Sequence, residues 1–184
     1  MSDPEFTLLG DAIWLDFINT AATPPGDRDL LPDLPAYHRW TKASKLVSDA
    51  DHVSLEEVRG FRSQLAYLAA ALTEDRQPRS SVIQAINEIL ARAGGHQQLL
   101  RVKGAWRTRF TPGRHAQALE AVANSVALTL SESAARVRRC AGEGCTLFFA
   151  DYSPNHSRRF CSAATCGKRL RIERRRSDRS VPAP

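Results

Sequence analysis

Cys140-Ala-Gly-Glu-Gly-Cys145 and Cys161-Ser-Ala-Ala-Thr-Cys166 hold all four cysteines of the chain, spaced as Cys-x4-Cys-x15-Cys-x4-Cys. A zinc ion takes four ligands in a tetrahedron, and four thiolates at about 2.3 Å satisfy it completely. Each pair must fold back so that both sulfurs face one ion. Gly142 and Gly144 suit the first loop, because tight turns often need a positive φ. The second pair is expected where a strand turns into a helix, with Cys166 in the first helical turn and Gly167 behind it. The positive end of that helix favours thiolate. The spacing therefore predicts one structural zinc ion on Cys140, Cys145, Cys161 and Cys166. An iron–sulfur cluster uses the same ligand set and stays open on spacing alone. Disulfides fit a reducing cytosol poorly. His156, in the turn-like stretch after Ser153-Pro154-Asn155, reads as a surface residue rather than a replacement ligand. A site closed by four thiolates has no open position for water or substrate, so its task is structural rather than catalytic. Metal binding in such modules supplies on the order of 10–16 kcal/mol. Leu147, Phe148 and Phe149 are the expected apolar packing around it, and loss of one cysteine is expected to unfold the module and leave the rest of the chain standing.

The charge is concentrated in the same segment. From Arg136 onward there are 12 Lys/Arg against four acids, a net of +8, while the preceding 135 residues hold 14 basic and 16 acidic side chains, a net of −2. Such asymmetry points to a polyanionic partner for the C-terminal part. Arg158 and Arg159 precede Cys161, and Lys168, Arg169, Arg171, Arg174, Arg175 and Arg176 follow Cys166 on one expected helix. Arginine's planar fork grips phosphate or reads guanine bidentately. These eight residues are the candidate nucleic-acid contacts. Six neutralised phosphates would give log K a slope of about −5 against log salt. The plainer reading is a solvated basic tail.

Residues 1–135 read as a mostly helical domain. Ile13, Trp14, Phe17 and Ile18 form the apolar face of a short helix between Asp11 and Thr20. A Pro/Asp-rich connection runs from Thr23 to Pro35, and a second helix is expected from Tyr37-His38-Arg39-Trp40 to about Val47. Ser54 and Glu57 match a capping box, followed by Leu55, Val58, Leu65, Leu68 and Leu72 at helical spacing. Pro78 breaks that pattern. Val82, Ile83, Ile86, Ile89 and Leu90 mark a further helix that ends near Gly94-Gly95. Around Gly104, Leu100 and Val102 alternate with Arg101 and Lys103, and Trp106, Thr108 and Phe110 alternate with Arg107 and Arg109. That alternation predicts a β-hairpin, closed by Pro112-Gly113. A long helix from about His115 to Glu132 is expected to bury Leu119, Val122, Val126 and Leu130. The fold class is thus mainly α with a β-hairpin: a helical domain over 1–135, a zinc module over 136–179 built as a knuckle and strand followed by a basic helix, and a disordered tail over 180–184. No apolar run approaches the roughly 20 residues needed to span a membrane. The N-terminus lacks a basic region followed by an apolar stretch, so it does not read as a signal peptide; a cytoplasmic protein is expected.

Several of these stretches are familiar. Cys140-x4-Cys145, Leu147-Phe148-Phe149-x-Asp151-x-Ser153, Ser157-Arg158-Arg159-Phe160-Cys161-Ser162 and Cys166-Gly167-Lys168-Arg169 resemble the CGNR zinc finger, named for the residues that begin at its last cysteine. Lys168 stands where the name has Asn, and Phe160 where Trp is usual. The first change spares the metal ligands and bears on a helix-start hydrogen bond or a nucleic-acid contact. The N-terminal part resembles the ABATE domain through Leu15-Asp16-Phe17-Ile18-Asn19-Thr20, Asp29-Leu30-Leu31 and Trp40 ahead of a helical body. The resemblance implies a predicted stress-induced transcription regulator of bacteria.

Asp16 and Asn19 allow two readings. With Trp14 and Trp40 they form a candidate ligand pocket, which would make the N-terminal domain a sensor of a small-molecule effector. In the structural reading, Asn19 satisfies backbone groups at the end of the first helix and Asp16 pairs with an arginine, as buried polar groups usually bond to their own fold. The five histidines (His38, His52, His96, His115 and His156) show no metal spacing, and no nucleophile or paired-carboxylate motif is present, so an enzyme is not expected. The function predicted is zinc-dependent DNA binding by a regulator whose helical domain senses an effector or forms a homodimer. The alternatives are an RNA- or ribosome-associated zinc protein, an adaptor for an acidic protein partner, and an enzyme using a pocket around Asp16. The lack of interleaved exposed aromatics in the finger favours duplex DNA over RNA.

Overall fold

A computed structural model describes residues 6–21, 28–48, 53–103, 105–131 and 135–172. Arg174, Arg175, Arg176 and the tail expected over 180–184 lie outside the described residues. The helical body is built around α1 (Ile13–Ile18) and the short 3-10 turn Asn19–Ala21 that continues it. Trp14, Leu15, Phe17 and Ile18 are all buried, so this short element is wrapped on nearly every side rather than on one face. α3 (Leu55–Thr73) and α5 (Ala118–Ser131) pack against it, and α4 (Ser80–Ala91) packs on α5. Val58, Leu65, Leu68, Val82, Ile86, Ile89, Leu119, Val122 and Val126 join one continuous core.

Two helix boundaries differ from the sequence expectation for a clear reason. α2 runs Leu34–Ala43, starting earlier than Tyr37, because the Asp33 carboxylate caps it by accepting the Ala36 N–H at 2.7 Å. Pro35 then sits in the first turn, where its missing N–H has no intrahelical partner to lose. The helix stops well before Val47, and Lys45 takes φ 57°. α3 begins as expected, with Ser54 Oγ accepting the Glu57 N–H at 3.1 Å. The Glu57 carboxylate does not close the box; it pairs with Arg92 at 2.5 Å and ties α3 to the end of α4. In α5, Leu130 is exposed instead of buried. Thr129 takes the inward position, where its hydroxyl accepts the Trp14 indole N–H at 3.1 Å.

Arg62 on α3, a buried cation, anchors the 29–31 segment. It meets the Asp29 carboxylate bidentately, both bonds 2.7 Å, and donates to Thr20 Oγ1 at 3.0 Å. Burial works against ionisation of Asp29, but the Arg62 hydrogen bond outweighs it and holds the carboxyl below its ordinary value. Removing the Asp29 carboxylate would leave the Arg62 charge buried without a counter-ion, at about 3–5 kcal/mol.

The hairpin is longer than the alternation predicted: β1 (Gly95–Val102) pairs antiparallel with β2 (Ala105–Pro112) in continuous register. A second two-stranded sheet, β3 (Arg136–Arg139) with β4 (Phe148–Asp151), carries the first cysteine pair on its connection. Among the described residues, no helix is long and apolar enough to cross a membrane.

Candidate metal centre and basic surface

The β3–β4 turn places Cys140 and Cys145 on a knuckle. Cys140 N–H donates to the Leu147 carbonyl at 2.9 Å, extending the ladder up to the first ligand. Gly144 takes φ +66°, which a glycine adopts without strain. Gly142 is required for a different reason: a Cβ there would lie 3.0 Å from both Cβ and Sγ of Cys166. The second pair comes from an irregular segment, not a strand. Residues 152–165 turn repeatedly before a helix that includes 166–172, so Cys166 opens that helix as expected. The Ala141 N–H donates to the Arg159 carbonyl at 2.8 Å and closes the second segment onto the knuckle.

All four sulfurs are buried and lie within 4.8 Å of one another. Cys145 and Cys161 Sγ are 3.9 Å apart, and Cys161 and Cys166 Sγ 3.8 Å. A tetrahedron with bonds of about 2.3 Å has edges of roughly 3.8 Å, so these separations fit one zinc ion. The donor chemistry fits as well. Cys140 Sγ accepts N–H bonds from Gly142 at 3.4 Å and Cys161 at 3.3 Å. Burial opposes ionisation of Cys140, and those two N–H groups overcome it and lower its pKa. Burial, with the neighbouring Cys140 thiolate, pushes Cys145 up to about 11 and Cys161 higher still. Four thiolates this close do not all ionise unless a cation balances them, and a single structural zinc is the cofactor that does so. His156 stands apart, with its ring nitrogen Nδ1 3.2 Å from the Asp151 carbonyl oxygen.

Around the cluster the expected roles divide. Leu147 and Phe149 pack on the cysteines, with Phe160 and Leu9 beside them. Phe148 and Ala150 point the other way and pack into the helical core, as the alternation of a strand dictates. Asp151 is fully buried and organises the irregular segment: it accepts the Ser153 N–H at 2.9 Å, the Ser153 hydroxyl at 2.6 Å and the Arg158 N–H at 3.2 Å, and it forms an ion pair with the Arg138 guanidinium, whose Nε lies 3.0 Å away. Burial alone would raise its pKa, and the Ser153 bonds and Arg138 keep it low.

The α1 stretch singled out by resemblance forms the seat of this finger. Asn19 spans outward to β4: its amide donates to the Phe148 carbonyl and its oxygen accepts the Phe148 N–H, each at 2.9 Å. Two positions on, the Ala150 N–H donates to the Gly10 carbonyl at 2.8 Å. The Gly10 N–H in turn donates to Asp16 Oδ1 at 2.7 Å. Asn19 thus serves backbone groups of a distant strand rather than its own helix end, and Asp16 holds a glycine rather than an arginine. Burial is the main cause that raises the Asp16 carboxyl to about 7, partly countered by the Gly10 bond. Trp14 and Trp40 have no exposed surface; Trp40 lies 5.0 Å from the Phe17 ring and 6.1 Å from the Tyr37 ring, centroid to centroid.

The candidate phosphate-contacting residues are not alike. Arg159, Lys168, Arg169 and Arg171 are exposed. Arg169 also donates to the Glu143 carbonyl at 2.8 Å, and Arg171 to the Gly167 carbonyl at 3.2 Å. Arg158 is spent inside the fold: it binds the carbonyls of Phe160 and Cys161 and the Asp11 carboxylate, with its guanidinium 4.5 Å from the Phe149 ring centroid. Arg136 and Arg139 on β3, which only the charge balance hinted at, line a cleft of about 770 Å³ between β3 and the ends of α3 and α5.

A helical body that seats a closed four-cysteine zinc finger defines a zinc-finger protein. Residues 11–135 match the ABATE family, described as "Putative stress-induced transcription regulator", and residues 136–179 match the CGNR zinc finger. The chain belongs to the ABATE family and carries a CGNR finger after its ABATE region. Neither description is that of an enzyme family. No curated protein matches the chain.

Proposed function

We propose that the protein is a zinc-dependent DNA-binding transcription regulator whose finger contacts duplex DNA. The observation that carries this reading is the exposure of Arg159, Lys168, Arg169 and Arg171 on a finger rigidified by a buried metal cluster. Phosphate recognition needs cations held at fixed separations, and a metal-fastened scaffold supplies that at small size. Arg158 acts in this reading as a strut rather than a phosphate contact. Arg136 and Arg139 extend the basic surface along β3, and Arg174, Arg175 and Arg176 continue the charge of the terminal segment. A single finger offers a small interface, which favours action as a homodimer. An effector would enter the groove of about 700 Å³ beside α5, bordered by Ile13, Leu90, Asn124 and Leu128. The Trp14–Trp40 cluster is closed to it.

The test is fluorescence-anisotropy titration of the zinc-loaded protein with random duplex DNA and with matched single-stranded RNA across salt concentrations. Duplex binding whose log K falls with log salt at a slope of about −5, and which is lost with Cys161→Ser, supports the reading. Preference for RNA moves the protein to the RNA-associated class. Absence of binding to either, with zinc content verified, points to an acidic protein partner and rejects the proposal.

A further inference from the structure

The mean charge of the first 135 residues conceals a second basic element. Between Gly95 and Pro112 the hairpin carries Arg101, Lys103, Arg107 and Arg109 and not one acid; the nearest acids along the chain are Glu88 and Glu120. Among the described side chains of the hairpin, none joins the hydrophobic core. Leu99 is 61% exposed and Trp106 66% exposed, with the Arg101 guanidinium 5.8 Å from the centre of the indole. Eight residues per strand make an arm of roughly 27 Å.

The arm is fastened at its base. Gly113 N–H donates to the Gly94 carbonyl at 3.3 Å, and Gly94 takes φ +56°. Just beyond, Arg114 grips the buried Glu120 carboxylate of α5 through two bonds of 2.6 and 3.0 Å and reaches the Arg92 carbonyl at 3.4 Å. Among the described residues no acid pairs with Arg101, Lys103 or Arg109, so the base cations hold the arm and the arm cations stay available to solvent.

Register decides what such a surface fits. Arg101 stands opposite Trp106, and Arg109 opposite Gln98. Positions 98 and 101 differ in parity along β1, so Arg101 and Arg109 lie on opposite faces of the ribbon. A flat anionic surface would be met by cations on one face. A duplex groove presents phosphates on both sides, and the major groove admits a two-stranded ribbon. We infer that the β1–β2 hairpin is a second DNA-contacting arm that enters a groove of the duplex, with Arg101 and Arg109 toward opposite phosphate walls and Trp106, on the same face as Arg101, shielded within the groove.

The inference rests on the DNA-binding reading of the finger, and one experiment tells their failures apart. Trp106 is the exposed member of three tryptophans, since Trp14 and Trp40 are wholly buried, so acrylamide quenching of intrinsic fluorescence reports on the arm alone. Saturating duplex DNA is expected to lower the quenching constant of the full chain severalfold, and Trp106→Phe removes the quenchable component. Arg101→Ala with Arg109→Ala is expected to make the salt slope shallower by about 1.8, with zinc content and helical circular dichroism unchanged. DNA that binds without shielding Trp106 and with an unaltered slope overturns the arm and leaves the finger reading intact. No duplex binding at all overturns both. Shielding by protein concentration alone assigns the arm to a second copy of the chain, and shielding by single-stranded RNA but not by duplex assigns it to unpaired bases; either result overturns the inference.

Discussion

Asp16 shows how one side chain can serve two elements. Its Oδ1 holds the Gly10 N–H, and the Gly10 carbonyl holds β4 through Ala150. No side chain larger than hydrogen fits at Gly10, where a Cβ would lie 2.7 Å from Leu15 Cβ. The carboxyl titrates at about 7 in the folded chain against an ordinary 3.8, with burial as the leading cause. Between those values the folded state retains a proton that the unfolded state has lost, so stability falls as pH rises across that window and levels off above it. Asp16→Asn keeps an oxygen for Gly10 and has no charge to bury. Its advantage over the parent chain should therefore grow from near pH 4 to near pH 7, by at most about 1.4 kcal/mol per pH unit, and then stay constant. Urea unfolding of both chains at a series of pH values measures this; parallel pH profiles would show that Asp16 is ionised in the folded state throughout.

At the scale of elements, the informative contact is between α1 and β4. The outward edge of β4 is not left open for pairing with another strand: Asn19 covers Phe148 and Gly10 covers Ala150. Asn19→Ala removes the partner of the N–H and carbonyl of half-buried Phe148, at about 1–3 kcal/mol for each group left unpaired. The variant should lose about 2–6 kcal/mol by denaturant unfolding and bind zinc more weakly than the parent in competition with a chelator. Full stability with intact zinc affinity would mean that the finger does not depend on its seat. This contact was only half legible in the sequence. The stretch Asp16-Phe17-Ile18-Asn19-Thr20 stands out as polar residues set in an apolar helix, but the partner of Asn19 lies 129 positions away. The backbone groups of β4 carry no side-chain signature, so no local pattern names them.

Over the whole molecule, the finger and the helical body are joined rather than strung together. Asn19 and Gly10 bind β4, Asp11 pairs with Arg158, and Phe148, Ala150 and Val137 pack into the helical core. On spacing alone, losing one cysteine unfolds the zinc module and leaves the helical part standing; the shared packing predicts that the two are coupled in stability. Chelation should lower the midpoint of denaturant unfolding followed by Trp14 and Trp40 in a Trp106→Phe chain, since a ligand bound only to the folded state stabilises every part coupled to it. Because thiols such as Cys145 and Cys161 must shed protons to bind, the difference should shrink as pH falls. An unchanged midpoint would show two independent units.

The zinc ligands, the basic terminal segment, the hairpin and most helices were determined by the sequence alone, because each rests on spacing within one stretch: four cysteines in two equal pairs, a period of two around Gly104, a period near 3.6 in α3 to α5. Tertiary structure decided what depends on neighbours from elsewhere in the chain. Thr129 rather than Leu130 turns inward because the Trp14 indole needs an acceptor there. Arg158 is drawn inward by carbonyls and the Asp11 carboxylate. Phe148 leaves the cysteine cluster for the helical core because adjacent residues of a strand face opposite ways and this strand lies between two cores. Spacing fixes which atoms can meet along one element; burial and hydrogen-bond satisfaction fix which of them do meet across the fold.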